Sequence, residues 1–151
     1  GTSNNPVVYQ KDYDFEIGKS VKLREGNDVA IFSTGSSVHH SMIAAAILEK
    51  KNISCSVINM HTIKPIDSNA ILKACKNHKI IITVEEHNII GGLGSAVAEV
   101  KSTLEQSPKQ IFLGVKDFYG KGGTYNYLLN KHGLSSEKIV ENVLKNLNIN
   151  E

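Results

Sequence analysis

Thr83-Val84-Glu85-Glu86-His87-Asn88-Ile89-Ile90-Gly91-Gly92-Leu93-Gly94-Ser95 decides the fold. The apolar run Ile80-Ile81-Ile82-Thr83-Val84 ends in it, glycines follow at 91, 92 and 94, and a helical spacing (Leu93, Ala96, Val97, Val100, Leu104) begins on its far side. The stretch reads as strand, turn and helix. Glycines there admit positive φ and let the helix approach the sheet closely. Two chemical readings suggest themselves: a phosphate cradle at the helix N-terminus, or an acid-base or metal cluster of Glu85, Glu86 and His87. The spacing Gly92-x-Gly94-x-x-Val97 lacks the third glycine of the dinucleotide fingerprint, so tight packing is the plainer reading of the glycines. Adjacent Glu85 and Glu86 at a strand end point to opposite faces, which disfavours a shared metal.

Upstream, 21–24 alternates as a short edge strand, and Glu25-Gly26-Asn27-Asp28 is a turn that reverses it into the next strand. Val29-Ala30-Ile31-Phe32-Ser33 is apolar throughout, as suits a strand covered on both faces. Thr34-Gly35-Ser36-Ser37 offers a capping hydroxyl to a helix whose apolar stripe is Val38, Met42, Ala45 and Ala46 and which closes at Lys50-Lys51-Asn52. Residues 54–59 form the next strand. Pro65 keeps Lys64 out of the helical region, so Asp67 is the natural N-cap of a helix that buries Ala70, Ile71, Ala74 and Cys75.

Downstream, Ser107-Pro108 breaks the helix and 110–115 is a last strand. Residues 116–124 are a glycine-rich loop, a short helix is expected over 125–131, and Ile139, Val140, Val143, Leu144 and Leu147 mark a C-terminal amphipathic helix that Ser135 or Ser136 can cap. Strands alternating with helices predict a mostly parallel sheet with helices on both faces. Ligand crevices of such sheets open at the carboxyl ends of the strands, here 34–37, 60–64, 86–92 and 116–123.

The 151 residues suffice for one domain with its own core. Seventeen basic residues against 15 acidic ones, with no cationic run longer than Lys50-Lys51, give no reason to expect nucleic acid or an anionic membrane as partner. No segment approaches the roughly 20 apolar residues of a membrane span, and no signal peptide opens the chain. Cys55 and Cys75 read as buried free thiols, and the expected location is the cytoplasm. Gly1-Thr2-Ser3 resembles a cloning remnant and 4–18 an extended linker with aromatic anchors, so the expected domain is 19–151, carried within a longer polypeptide.

No nucleophile elbow, Walker loop, zinc spacing or EF-hand loop is present. His39 and His40 fall in the first turn of a helix, and His78 and His132 close helical segments. His61 follows a strand end, and His87 is the histidine best placed to meet a ligand or a partner domain. Lys121 lies among Gly120, Gly122 and Gly123 in what reads as a solvated loop. No catalytic set emerges from the residues alone.

Four stretches together resemble the C-terminal domain of transketolase and its relatives: Phe15-Glu16-Ile17-Gly18-Lys19, Leu23-Arg24-Glu25-Gly26-Asn27-Asp28-Val29, the run from Val57 through His61 and Pro65 to Asp67, and the run from Val84 through Glu86, His87, Asn88, Gly91, Gly92 and Gly94 to Ala96. The likeness extends from about Phe15 to Leu147 and looks strongest to the separate C-terminal subunits of split bacterial transketolases. It implies a three-layer α/β/α sandwich around a five-stranded sheet with one antiparallel edge strand. It also implies that thiamine diphosphate and magnesium sit between diphosphate-binding and pyrimidine-binding domains across a dimer interface, with the cofactor-activating glutamate on the pyrimidine-binding domain.

Neither of those domains is in this chain. By the resemblance the chain therefore has no catalytic or metal-binding residue of its own and is inactive alone. It would contribute subunit contacts, and a regulatory ligand site, through an interface or ligand loop comprising Glu86, His87, Asn88, Gly91, Gly92, Gly94 and His61. The upstream domains or subunit are the expected partners, in a homodimer. The family commonly has an Asp, a Phe-Gly pair and a Ser-Gly near the C-terminus, where this chain reads Asp117-Phe118-Tyr119-Gly120-Lys121-Gly122-Gly123-Thr124. A 2-oxoacid dehydrogenase beta subunit and a deoxyxylulose phosphate synthase share the domain and are the alternatives, with a non-catalytic scaffold module as a third.

Overall fold

The computed structural model describes residues 16–85, 92–114 and 135–148. Five strands, β1 (Val21–Arg24), β2 (Val29–Ser33), β3 (Cys55–Asn59), β4 (Ile80–Glu85) and β5 (Lys109–Gly114), form one sheet in the order β1-β3-β2-β4-β5. β3, β2, β4 and β5 run parallel, and β1 is antiparallel to β3 at the edge. Four helices, α1 (Ser37–Glu49), α2 (Ser68–Asn77), α3 (Leu93–Lys101) and α4 (Ser136–Asn146), cover the two faces. The fold is the three-layer sandwich that the resemblance implies.

Strand alternation divides the core. Val29 and Ile31 of β2 face the layer of α1 and α4 with Leu48, Ile139 and Val143, whereas Ala30 and Phe32 face the layer of α2 and α3 with Ile71, Leu93 and Val97. Every residue of β2, β3 and β4 is buried, the outcome expected of strands with helices on both sides. Each fully buried large apolar side chain in these layers contributes about 1.5–3 kcal/mol.

β1 is the edge strand and the chain reverses after it as expected, but β1 pairs with β3, and β2 lies one strand further in. The turn after β1 passes directly over the start of β3. Gly26 donates its N–H to Ser56 Oγ (2.9 Å), the Asn27 N–H bonds Ser54 Oγ (3.0 Å), and Asp28 Oδ2 accepts the Ser54 N–H (2.8 Å). A Cβ on Gly26 would stand 2.3 Å from the Cys55 carbonyl carbon, so the crossing needs glycine at that point.

On α1 the buried face is Ser37, Val38, Ser41, Ala44, Ala45 and Leu48, while Ala46 is exposed and Met42 only partly covered. The stripe read from apolar residues is corrected because two serines turn inward. Ser41 Oγ donates to the Ser37 carbonyl at 3.0 Å and lies 2.5 Å from Ser33 Oγ, so both hydroxyls are bonded in the core. Asn52, with φ of 64°, terminates the turn after α1.

α2 begins as read from its sequence. The Lys64–Pro65 peptide is cis, Asp67 is the N-cap, and its Oδ1 accepts the Ala70 N–H at 3.2 Å. His78 closes α2 structurally, with Nδ1 2.8 Å from the Ala74 carbonyl oxygen and Nε2 2.8 Å from Ser56 Oγ. β3 and β5 each start one residue away from the expected position, at Cys55 and Lys109. Cys55 and Cys75 are free and buried; burial pushes the Cys55 thiol up to about 12 against the opposing charge of Arg24, and raises Cys75 likewise. Neither thiol is activated for nucleophilic chemistry. The expectations for the 4–15 part of the linker, the 116–124 loop, the 125–131 helix and His132 lie outside the described residues.

Candidate functional site

The carboxyl ends of the four parallel strands share one edge of the sheet. Between the central neighbours β2 and β4 the connections diverge, α1 leaving to one face and α3 to the other, which is where a crevice opens in a sheet of this kind. The α1 side of that crevice is closed by Ser37. Its hydroxyl lies 2.5 Å from the Thr34 carbonyl and 2.9 Å from the Val84 carbonyl, and it accepts the Thr34 N–H at 3.3 Å. The expected capping hydroxyl is not found: the N-cap residue Ser36 makes no side-chain cap, and the Ser37 hydroxyl ties the helix start to the ends of β2 and β4 instead of accepting a first-turn N–H.

Glu85 dominates the α3 side. It is the last residue of β4, it is 1% exposed, and alternation with Ile81 and Thr83 turns its side chain to the α3 face. Oε1 accepts the Leu93 N–H and Oε2 the Gly94 N–H, each at 2.7 Å. Both bonds have the length of charge-assisted hydrogen bonds, and a carboxylate here also meets the positive end of the helix dipole. The N-cap of α3 is Gly92, which has no side chain to offer, so the cap is supplied from the strand.

The phosphate reading of this turn is therefore corrected: the anion at the N-terminus of α3 is a side chain of the chain itself. Sequence reasoning weighed Glu85 only as an acid-base or metal group and missed this role. The signal was available, because an acid at the inward-facing end of a strand precedes a helix that opens on glycine.

Gly94 is held from the other side. A Cβ there would stand 2.4 Å from Phe112 Cδ2 and 3.0 Å from Thr83 Oγ1, and Gln110 Nε2 donates to its carbonyl at 2.9 Å. Close helix-to-sheet packing is the reason for glycine at 94. Gly92, with φ of −97°, has an ordinary extended backbone, so positive φ is not what places glycine there.

Of the other expected site residues, His61 lies just beyond β3 with its Nδ1 3.1 Å from Thr62 Oγ1, on the same sheet edge as Gly92 and Gly94 but with β2 intervening. Glu86, His87, Asn88 and Gly91 lie outside the described residues. His39 and His40 are both half-buried, their rings tilted at 5.6 Å. Among the described residues, no three His, Cys, Asp or Glu side chains are grouped to hold a metal ion. No helix among them is long and apolar enough to cross a membrane.

Residues 18–139 match the family described as "Transketolase, C-terminal domain". The chain is 40% identical over 128 residues to the 6-deoxy-6-sulfo-D-fructose transketolase subunit of Clostridium sp., covering 84% of this chain and 39% of that protein. It is 39% identical over 127 residues to the 1-deoxy-D-xylulose-5-phosphate synthase of Synechococcus sp., covering 84% of this chain and 20% of that protein. A solved structure described as "Split gene transketolase, inactive beta4 tetramer" superposes with a TM-score of 0.87 at 37% identity, over 97% of this chain and 48% of its own. The chain thus spans less than half the length of each of these relatives. A five-stranded sheet with this one antiparallel edge, together with that similarity over nearly the whole chain, makes it a member of the transketolase C-terminal domain family.

Proposed function

We propose that this domain serves a thiamine-diphosphate-dependent transketolase, which moves a two-carbon ketol unit between sugar phosphates once the domain is assembled with its diphosphate-binding and pyrimidine-binding partners. The observation that carries the reading is the 37% identity to a split-gene transketolase across almost the entire chain. The described residues do not fit the cofactor themselves: the helix N-terminus that would suit a diphosphate is filled by the Glu85 carboxylate. The N–H groups of Ser37 and Val38 that open α1 are bonded to the Thr34 and Gly35 carbonyls. On the family likeness, thiamine diphosphate and magnesium belong to the partner domains in this reading, and the chain alone is inactive.

Its own contribution is to subunit contact, in a homodimeric cytoplasmic assembly, through the candidate residues His61, Glu86, His87, Asn88, Gly91, Gly92 and Gly94, of which His61, Gly92 and Gly94 lie at the carboxyl edge of the sheet. The Glu85 clamp supports this, since it fixes the start of α3, where Gly94 lies. A regulatory ligand is the further role assigned to the same edge. A second reading, the C-terminal domain of a deoxyxylulose phosphate synthase, is favoured by the 39% identity to that enzyme.

A donor-acceptor assay on the intact subunit assembly with thiamine diphosphate and magnesium separates the two. Ketol transfer between sugar phosphates is the expected result. Pyruvate decarboxylation with condensation onto a triose phosphate, without ketol transfer, would move the domain to the second reading. Calorimetry on the isolated chain should show no thiamine diphosphate binding, and saturable micromolar binding would overturn the placement of the cofactor in the partner domains.

A further inference from the structure

A cleft of about 420 Å³ runs along the β1 side of the sheet, between β1 with the turn after it and the helix α2. It exists because β1 is only four residues long and α2 presents the small side chains of Ala70 and Ala74 where it overhangs the sheet edge. Together with Ile58 these alanines give the cleft an apolar floor.

Its walls are pinned at both ends. At one end the Ser20 N–H and hydroxyl donate to Asp67 Oδ2 at 2.8 and 2.9 Å. At the other, Ser56 Oγ donates to the Gly26 carbonyl, accepts the Gly26 N–H and meets His78 Nε2, which joins the turn to the end of α2. A cleft held by two such ties is preformed, and its volume lies in the range of small-molecule sites.

One cation of the lining has no carboxylate partner among the described residues. Lys22 is paired with Glu25 at 3.3 Å and the Asp67 carboxylate at the Ser20 end is taken up by the Ser20 and Ala70 donors, while among the described residues no carboxylate pairs with Lys73. Asn77 uses its Nδ2 on the Lys73 carbonyl, which leaves its Oδ1 as an acceptor. Two ammonium groups suit an anion, a free amide oxygen suits a hydroxyl group, and an apolar floor suits a short carbon skeleton. We propose that the cleft between β1 and α2 binds a small hydroxylated organic anion, one phosphate or carboxylate on a short carbon chain, with Lys22 and Lys73 holding the charge. The site stands on the cleft alone and not on the transketolase reading.

Amide chemical-shift titration of the 151-residue chain tests it, with ribose 5-phosphate, ribonate and neutral ribose as probes. At least one of the two anions should give saturable shifts at Gly26, Asn27, Lys73, Ala74 and Asn77, with ribose at least about tenfold weaker. Which anion binds tells a phosphate from a carboxylate ligand. Lys73→Gln and the floor-filling Ala70→Leu should each weaken binding by about tenfold, and Lys145→Gln on the distant α4 should leave it unchanged. Absence of saturable shifts from both anions up to about 10 mM would overturn the proposal. Equal losses in Lys73→Gln and Lys145→Gln, or binding untouched by Ala70→Leu, would overturn it as well.

Discussion

Two helices of this domain, α2 and α3, begin on a carboxylate, and they use it differently. Asp67 caps α2 from the adjacent position and divides its oxygens, Oδ1 to the Ala70 N–H and Oδ2 to Ser20 at the base of the linker. It is only partly buried. Burial raises its pKa, but the bonds from the Ser20 N–H and hydroxyl, the Ala70 N–H and the charge of Lys19 outweigh that and hold it below the ordinary 3.8. Glu85 reaches α3 from eight residues before Leu93, is shut away from solvent, and spends both oxygens on consecutive backbone N–H groups. A partly exposed cap still competes with water for the bonds it makes, whereas the N–H groups of a fully buried one have no water to fall back on when it is removed. The two sites should therefore respond unequally to the same substitution.

The largest effect is expected at Glu85. Glu85→Ala leaves two buried N–H groups without an acceptor and opens a cavity, a loss on the order of 3 kcal/mol or more. Thermal unfolding should show it as a fall in Tm of roughly 10 °C for a domain of this size. Glu85→Gln keeps one acceptor oxygen and should fall between Ala and the natural residue. If Gln destabilises as much as Ala, the negative charge and not the hydrogen-bond count holds the helix start.

Gly94 should come next. Gly94→Ala drives a methyl group into the Phe112 ring, costing about 1–3 kcal/mol of overpacking that improved helix propensity offsets by up to about 1 kcal/mol. The double variant with Phe112→Ala should be less destabilised by the added methyl than the single variant. Gly92→Ala, which puts a poorer N-cap residue at an ordinary extended backbone, should cost about 0.5–1 kcal/mol. Equal melting temperatures for the two alanine variants would break the assignment of the tight contact to Gly94.

A smaller change than at Glu85 is expected at Asp67, where replacement by Ala should cost about 0.5–2 kcal/mol at neutral pH. This cost has a pH signature. Because the folded-state pKa lies below the ordinary value, the stabilisation is complete above about pH 4 and disappears as pH falls through the folded pKa. The gap between natural and Asp67→Ala melting curves should be flat near neutrality and close in acid. A gap that widens in acid would show that the carboxyl is held in its protonated form.

The same contrast separates what could be read in advance from what could not. Asp67 was legible because a local cap needs only a residue type, a proline shortly before it and an apolar stripe after it. The Glu85 clamp was not, since its partner N–H groups follow an intervening segment and a carboxylate at a strand end also fits a catalytic or metal role. Ala46 was misplaced on α1 for a related reason: apolarity counts alanine inward and serine outward, and buried hydroxyl pairs such as Ser33 with Ser41 reverse that ranking. Of the candidate interface, His61, Gly92 and Gly94 are placed on one sheet edge, a grouping that the alternation of strands and helices already implied.

By itself the sequence determined the alternation of strands and helices, the double-sided burial of β2, the start of α2 and the family, because each depends on residue types at short, regular spacing. Only the tertiary structure decided that β1 lies against β3, that Gly26 and Gly94 mark close backbone approaches, that Glu85 completes α3 and that a cleft lies beside α2. Each of these depends on which distant segments share space. Local propensity has no term for that, and only the packed sheet supplies it.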